Sequence, residues 1–191
     1  HLLIARSFGG IKGAVSGGVG QQKMGLYRPL SAVLFREGWI DSAESLQLPT
    51  HPNTKLAIET ELGIVLKKPI TTKLKSVGQL QKHIAAIVPV VELPAGNYQW
   101  TPPINATDLI AANVFSDRYI VGQAHKDLSI NLDAVNIQLT NYGQVINATH
   151  GVAACRGQWG NFLHHVNWAI AAGNELRPGN LVITGALGSI S

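Results

Sequence analysis

Charge, aromatic rings, cysteine and long apolar runs are all scarce in this 191-residue chain, and each shortage excludes something. Charged residues make up 14% of it while 46% is hydrophobic, against roughly 25% charged in an average globular domain. A disordered chain needs the opposite balance. The longest apolar runs, such as Ile84 to Val91, stop well short of the ~18 residues that a membrane-spanning helix requires. The single cysteine, Cys155, excludes an internal disulfide and the common zinc spacings. Aromatics are 6%, and the excess of 15 basic over 11 acidic residues is spread out, with Lys67, Lys68, Lys73 and Lys75 as the one concentration. The basic stripe interleaved with aromatics that binds nucleic acid is therefore missing. The expectation is a compact domain with neither a nucleic-acid nor a membrane partner. No leader pattern is read at the start, so a cytoplasmic placement is expected. The chain opens on His1, however, and its one methionine is Met24. The N-X-T sequons at Asn105 and Asn147 carry no weight without a sign of secretion.

A chain of this length reads as one domain, 1–191, and is long enough to need no staple to stay folded. Residues 7–20, rich in Gly and Ser, match no phosphate-loop spacing and read as a flexible or substrate-covering loop. From Leu56 to Leu66 apolar residues alternate as in a strand, with Ala57, Glu59, Glu61, Gly63 and Val65 on one side. Val77, Leu80, Ile84 and Ile87 recur at helical spacing over 76–87, and the β-branched run 88–93 predicts a buried strand ending near Glu92. A short helix capped by Thr107 is expected over 107–112, and a strand over 118–123. A hairpin turning at Asn141-Tyr142-Gly143 joins 134–140 to 144–149. A helix over 159–172 presents Trp159, Phe162, Leu163, Val166, Ala169 and Ile170 and stops at Gly173. A final strand spans 181–187. Strands outnumber helices and do not alternate with them, which predicts an α+β fold.

Glu59 and Glu61 are the sharpest feature. Residues i and i+2 of a strand lie about 6.5–7 Å apart on one face, and two ionised carboxylates at that distance repel by roughly 2.5 kcal/mol at an effective dielectric near 20. Either they line a solvent-facing strand edge or a hard divalent cation compensates them, since Mg²⁺ and Mn²⁺ prefer oxygen ligands. Glu92 tips the balance toward the cation: it ends the apolar run Pro89-Val90-Val91-Glu92-Leu93, where a carboxylate needs a partner. The histidines are read differently. His164 and His165 are adjacent on a helix, about 100° apart, and fit surface or core packing better than a shared ion. His83, His125 and His150 stand alone, His51 sits in a Pro-containing turn, and Cys155 has no readable partner motif.

Glu59-Thr60-Glu61, then Ala85 to Leu93, then Asp108-Leu109-Ile110-Ala111-Ala112-Asn113 running into Arg118 to Gly122, and finally Gly179 to Leu187, resemble in that order the fumarylacetoacetate hydrolase superfamily. The likeness is to its 2-keto-4-pentenoate hydratase and 2-oxohexenedioate decarboxylase branch and extends from about Gly9 to the C-terminus. It implies a layered, rolled β-sheet with a few flanking helices, Mg²⁺ or Mn²⁺ held by Glu59, Glu61 and Glu92, a small 2-oxo acid as substrate, and a homo-oligomer. A glutamate at the third ligand position points to the hydratase and decarboxylase branch. Gly10-Ile11-Lys12-Gly13-Ala14 matches a segment in which the family carries a lysine, making Lys12 the expected catalytic residue. Asn113, Thr184 and Gly185 are expected to border the substrate. The family is typically longer, with helices before this start and a strand after this end.

The resemblance implies hydration of 2-hydroxypenta-2,4-dienoate to 4-hydroxy-2-oxopentanoate through a metal-chelated enolate. Decarboxylation of a 2-oxohexenedioate uses the same electron sink. The chain departs from the family pattern at Gly13-Ala14-Val15-Ser16, Ala111-Ala112-Asn113-Val114-Phe115 and Ala186-Leu187-Gly188-Ser189, losing polar pocket groups each time. Those losses motivate a further reading, a metal-dependent binder of oxo acids that no longer catalyses, and a third is a structural or oligomerisation domain with no site.

Overall fold

The computed structural model describes residues 8–41, 55–96, 105–150 and 157–187. Ser7, His51, Cys155, Gly188 and Ser189 lie outside the described residues. The elements in chain order are β1 (Gly10–Ala14), α1 (Gly18–Lys23), β2 (Leu30–Leu34), β3 (Trp39–Ile40), β4 (Lys55–Leu56), β5 (Glu59–Leu66), α2 (Val77–Gln81), β6 (Ile84–Leu93), β7 (Ala95–Gly96), α3 (Ala106–Ala111), β8 (Arg118–Val121), β9 (Asn136–Asn141), β10 (Gln144–His150), α4 (Gly157–Ala171) and β11 (Leu181–Ile183). A mixed seven-stranded sheet runs β2-β1-β11-β5-β6-β8-β3, and β9-β10 and β4-β7 form two small antiparallel pairs. The fold is α+β, as its sequence pattern predicts.

The two faces of the sheet divide the chemistry. Ile11, Leu62, Ile64, Leu66 and Val182 pack with Phe162, Val166 and Ala169 of α4. On the other face Val65, Val88, Val90, Leu181 and Ile183 meet Leu34 and Tyr119. With both faces covered, seven of the eight β5 residues are buried, and only Glu59 is half-exposed. Each large apolar side chain so buried contributes about 1.5–3 kcal/mol relative to exposure.

Six sequence expectations are corrected. The Gly-rich segment is not a loop over a site: it supplies β1, paired with β2 and with β11 inside the sheet. Two of its glycines answer to crowding, because a Cβ at Gly10 would collide with the Leu181 carbonyl and one at Gly13 with His165 Nε2 and the Thr184 carbonyl. The helix over 76–87 closes after Gln81, and the strand already begins at Ile84. A bulge explains the misleading spacing. Leu66 pairs with Ile84 while Val65 pairs with Ala86, so the extra residue Ala85 turns Ile84 and Ile87 to the same face and mimics an i, i+3 repeat. The cap of α3 is Asn105, not Thr107: Asn105 Oδ1 accepts from Asp108 N at 3.0 Å and Asp108 Oδ2 accepts from Asn105 N at 3.1 Å, a reciprocal capping box. The strand from Leu56 is interrupted at Ala57-Ile58, and the last strand ends at Ile183. On α4 the buried stripe is rotated toward Gln158, Asn161 and His165, because Asn161 bonds Ser16 and the Thr184 carbonyl and His165 bonds Ser31. The hairpin does turn at Tyr142-Gly143, both left-handed with φ of 46° and 78°, as a tight two-residue hairpin requires.

Candidate metal centre

Register brings the three glutamates together. In the β5–β6 ladder Glu59 stands directly opposite Glu92, and Glu61 lies two residues further along the same face. Like charges placed opposite one another in a sheet are destabilising, and here the environment makes them more so. Glu61 and Glu92 are fully buried. Each of the three residues offers a carboxylate oxygen within 4.8 Å of the other two.

Burial is the main reason that all three carboxyl groups hold protons more tightly than usual. Glu92 is pushed up to about 7 by desolvation and restrained by Lys12. Glu61 is raised well above the ordinary range by desolvation, then by the neighbouring Glu92 and Glu59. Glu59 is raised by burial and lowered by Lys12.

Lys12 is the cation in this pocket. Its side chain is 2% exposed, with Nζ 2.6 Å from Glu92 Oε1, and it donates to the Val114 carbonyl at 2.8 Å. Lys12 reaches the glutamates because β1 and β5 flank β11 on either side. The sequence-predicted lysine and glutamates therefore meet in space.

One Lys12 ammonium does not satisfy this donor set. Glu61 Oε2 accepts from the Gly185 amide at 2.9 Å, but the buried Glu61 Oε1 and Glu92 Oε2 have no hydrogen-bond donor. Orphaned, converging carboxylate oxygens with a half-exposed third carboxylate at the rim are the donor chemistry of a hard divalent cation. The residues present fit a hard divalent cation.

Thr184 and Gly185 form the wall beside Glu61. The Thr184 hydroxyl accepts from Leu62 N at 3.2 Å and donates to the Gly185 carbonyl at 2.9 Å. Its own carbonyl is turned away to Asn161 Nδ2 at 3.0 Å and Ser16 Oγ at 2.7 Å. That exchange ends β11 and swings the Gly185 amide onto Glu61. Gly185 is left-handed at φ +87°, and a Cβ there would lie 3.0 Å from the Gly13 carbonyl, so only glycine allows this close approach.

Asn113 has its side-chain amide on the backbone of Val33. His165 is fully buried against Ser31 Oγ, 2.7 Å from Nδ1, and its pKa is lowered to about 3, chiefly by desolvation. It is a core histidine, as expected.

A model of the fumarylacetoacetate (FAA) hydrolase C-terminal family matches residues 21–190. The chain belongs to the FAA hydrolase family. Among FAA hydrolase relatives, the 2-keto-4-pentenoate hydratase of Paraburkholderia xenovorans (strain LB400) is 27% identical over 194 residues, covering 98% of this chain and 69% of that protein. The TodF product hydratase of Pseudomonas putida is 29% identical over 189 residues, with the same two coverages of 98% and 69%. The structure of 4-oxalocrotonate decarboxylase from Pseudomonas putida G7, complexed with magnesium and adipate, is similar with a TM-score of 0.77 at 18% identity. That match covers 95% of this chain and 68% of the decarboxylase and shows the shared fold. Among the described residues of this FAA hydrolase family member, no helix is long and apolar enough to cross a membrane.

Nothing in the sequence signals the Val114 carbonyl or the Ser16 and Asn161 props. Gly185 is expected at the site through the family resemblance, though as a neighbour of substrate rather than as the donor to Glu61. The others depend on backbone direction and on contacts between distant segments, for which the sequence carries no local signal.

Proposed function

We propose that this protein is a metal-dependent hydro-lyase that adds water to 2-hydroxypenta-2,4-dienoate, giving 4-hydroxy-2-oxopentanoate. The observation that carries the reading is the buried trio Glu59, Glu61 and Glu92 with orphaned oxygens facing one another and Lys12 against them. Relatives bearing a hydratase name at 27–29% identity support the choice of substrate class.

When bound by Glu59, Glu61 and Glu92, Mg²⁺ or Mn²⁺ would supply Lewis acidity toward the carboxylate and 2-oxo oxygens of a 2-oxo acid. Lys12 adds a buried positive charge in the same pocket, suited to hold the substrate carboxylate or to move a proton. The Gly185 amide fixes Glu61 in orientation, and Thr184 fixes Gly185. Thr184 and Gly185 form the proposed substrate wall. Ala14, Leu30, Ala32, Leu109 and Val114 make a buried apolar cluster near Lys12, which shields the lysine from bulk solvent on that side. The dienol ketonises, its 2-hydroxyl proton being given up and a proton delivered to C5, and water then adds across the conjugated C3–C4 alkene, its proton going to C3 and its hydroxyl to C4.

A 2-oxohexenedioate decarboxylase is the second reading, because the same site would stabilise the carbanion left as CO₂ departs. Incubation with each acid separates them. The hydratase reading expects 4-hydroxy-2-oxopentanoate by NMR with no CO₂ released, and CO₂ from the dicarboxylate with no hydrated product overturns it.

A further inference from the structure

Both polar atoms of the Asn113 side chain are engaged by the backbone of one residue, Val33. Asn113 Oδ1 accepts from Val33 N at 2.9 Å and its Nδ2 donates to Val33 O at 2.8 Å, so the amide copies one rung of a sheet ladder on the β2 edge. Asn113, Val114 and Phe115 follow one another at φ values of 49°, 51° and 56°. Three consecutive non-glycine residues in the left-handed region are unusual, and a β-branched one among them is an outlier. Such a conformation persists only where its surroundings over-determine it. Two anchors do so: the Val114 side chain is buried in the cluster with Ala14, Leu30, Ala32 and Leu109, and the Asn113 amide grips β2. What the strained turn delivers is the Val114 carbonyl, the acceptor for Lys12 Nζ at 2.8 Å. The grip lies next to the lysine's own strand partner, since Lys12 pairs with Ala32 and Ile11 with Val33.

We propose that Asn113 is a positioning residue, clamping the left-handed 113–115 turn to the β2 edge so that the Val114 carbonyl holds Lys12 against Glu92. Its relevance to turnover rests on the role of Lys12 proposed above, but the clamp itself does not. A residue needed only for its left-handed backbone is replaced by glycine without loss. A clamp is lost with glycine and alanine alike.

Two measurements test this. The first is the rate at which Lys12 is reductively dimethylated at fixed pH, read by peptide mass spectrometry in wild type, N113G and N113A. Both variants are expected to label roughly fivefold faster or more as the turn opens locally. Their kcat for the dienoate falls about tenfold or more, the scale of loss for an outer-shell partner, with KM and Mn²⁺ affinity within about twofold of wild type. N113G that labels and turns over like wild type overturns the proposal. The second needs no variant: the Val33 amide, bonded on its outer side to Asn113 alone, is expected to be protected from hydrogen exchange as strongly as the β1–β2 ladder. Free exchange there overturns the clamp. If the wild type turns over no dienoate, the proposed function fails while labelling and exchange still decide the clamp.

Discussion

Lys12 Nζ lies 2.6 Å from Glu92 Oε1, with both side chains out of solvent. The pair joins β1 to β6, two strands that never touch as ladder partners, and it sets the electrostatics of the whole pocket. Lys12→Met leaves Glu92 buried beside two other carboxylates without a cation. Breaking a buried pair of this kind costs about 3–5 kcal/mol. Thermal unfolding in EDTA should show a corresponding fall in Tm, and millimolar Mn²⁺ should recover part of it by supplying the missing positive charge.

The metal-free protein should lose stability as pH rises. Glu59, Glu61 and Glu92 all have folded-state pKa values raised above their ordinary ones, Glu92 to about 7. The folded state therefore binds more protons than the unfolded state, and the slope of unfolding free energy with pH is negative. Their contribution is fully present below pH 4.5, the ordinary carboxyl value, and is lost as pH climbs through the folded values. His165, lowered to about 3, acts with the opposite sign below its ordinary value of 6.5, so the clean window lies above it. Between pH 6.5 and 8.5 in EDTA, Tm should decline for wild type and decline less for Glu92→Gln. A Tm that rises with pH there contradicts the buried trio.

Metal binding should run the other way. The carboxylates must shed their protons to act as ligands, so Mn²⁺ affinity in calorimetry should strengthen from pH 6 to 8 with protons released on binding. At a metal concentration of 100 Kd the added stability is about 2.7 kcal/mol. Glu61→Gln should abolish most of the binding.

Gly13→Ala should destabilise the protein despite adding one methyl group. The Cβ meets His165 Nε2 on one side and the Thr184 backbone on the other, and overpacking of a closed core costs about 1–3 kcal/mol. Denaturant unfolding checks this; a wild-type midpoint would mean that α4 can move away from β1.

The three glutamates of the candidate site were legible from the residues themselves. Carboxylates are rare in this chain, and rare charges in apolar strands announce themselves, so Glu59, Glu61 and Glu92 stood out. Lys12 was legible only through family resemblance, because β1 hides in a run of glycines that reads as loop. Gly13 is there for close packing, which no composition rule separates from flexibility. The Ala85 bulge made β6 look helical at its start. Asn113 carried a polar side chain next to the site, and nothing local revealed that both its polar atoms face the backbone of Val33, 80 residues earlier in the chain.

Loss of 2-hydroxypenta-2,4-dienoate absorbance, followed with and without EDTA in wild type and Glu61→Gln, tests the central claim most directly. Turnover should vanish in EDTA, return with Mg²⁺ or Mn²⁺, and fall by at least about a hundredfold in Glu61→Gln, where a metal ligand rather than its support is removed. Turnover that ignores both EDTA and the Glu61→Gln substitution would contradict it.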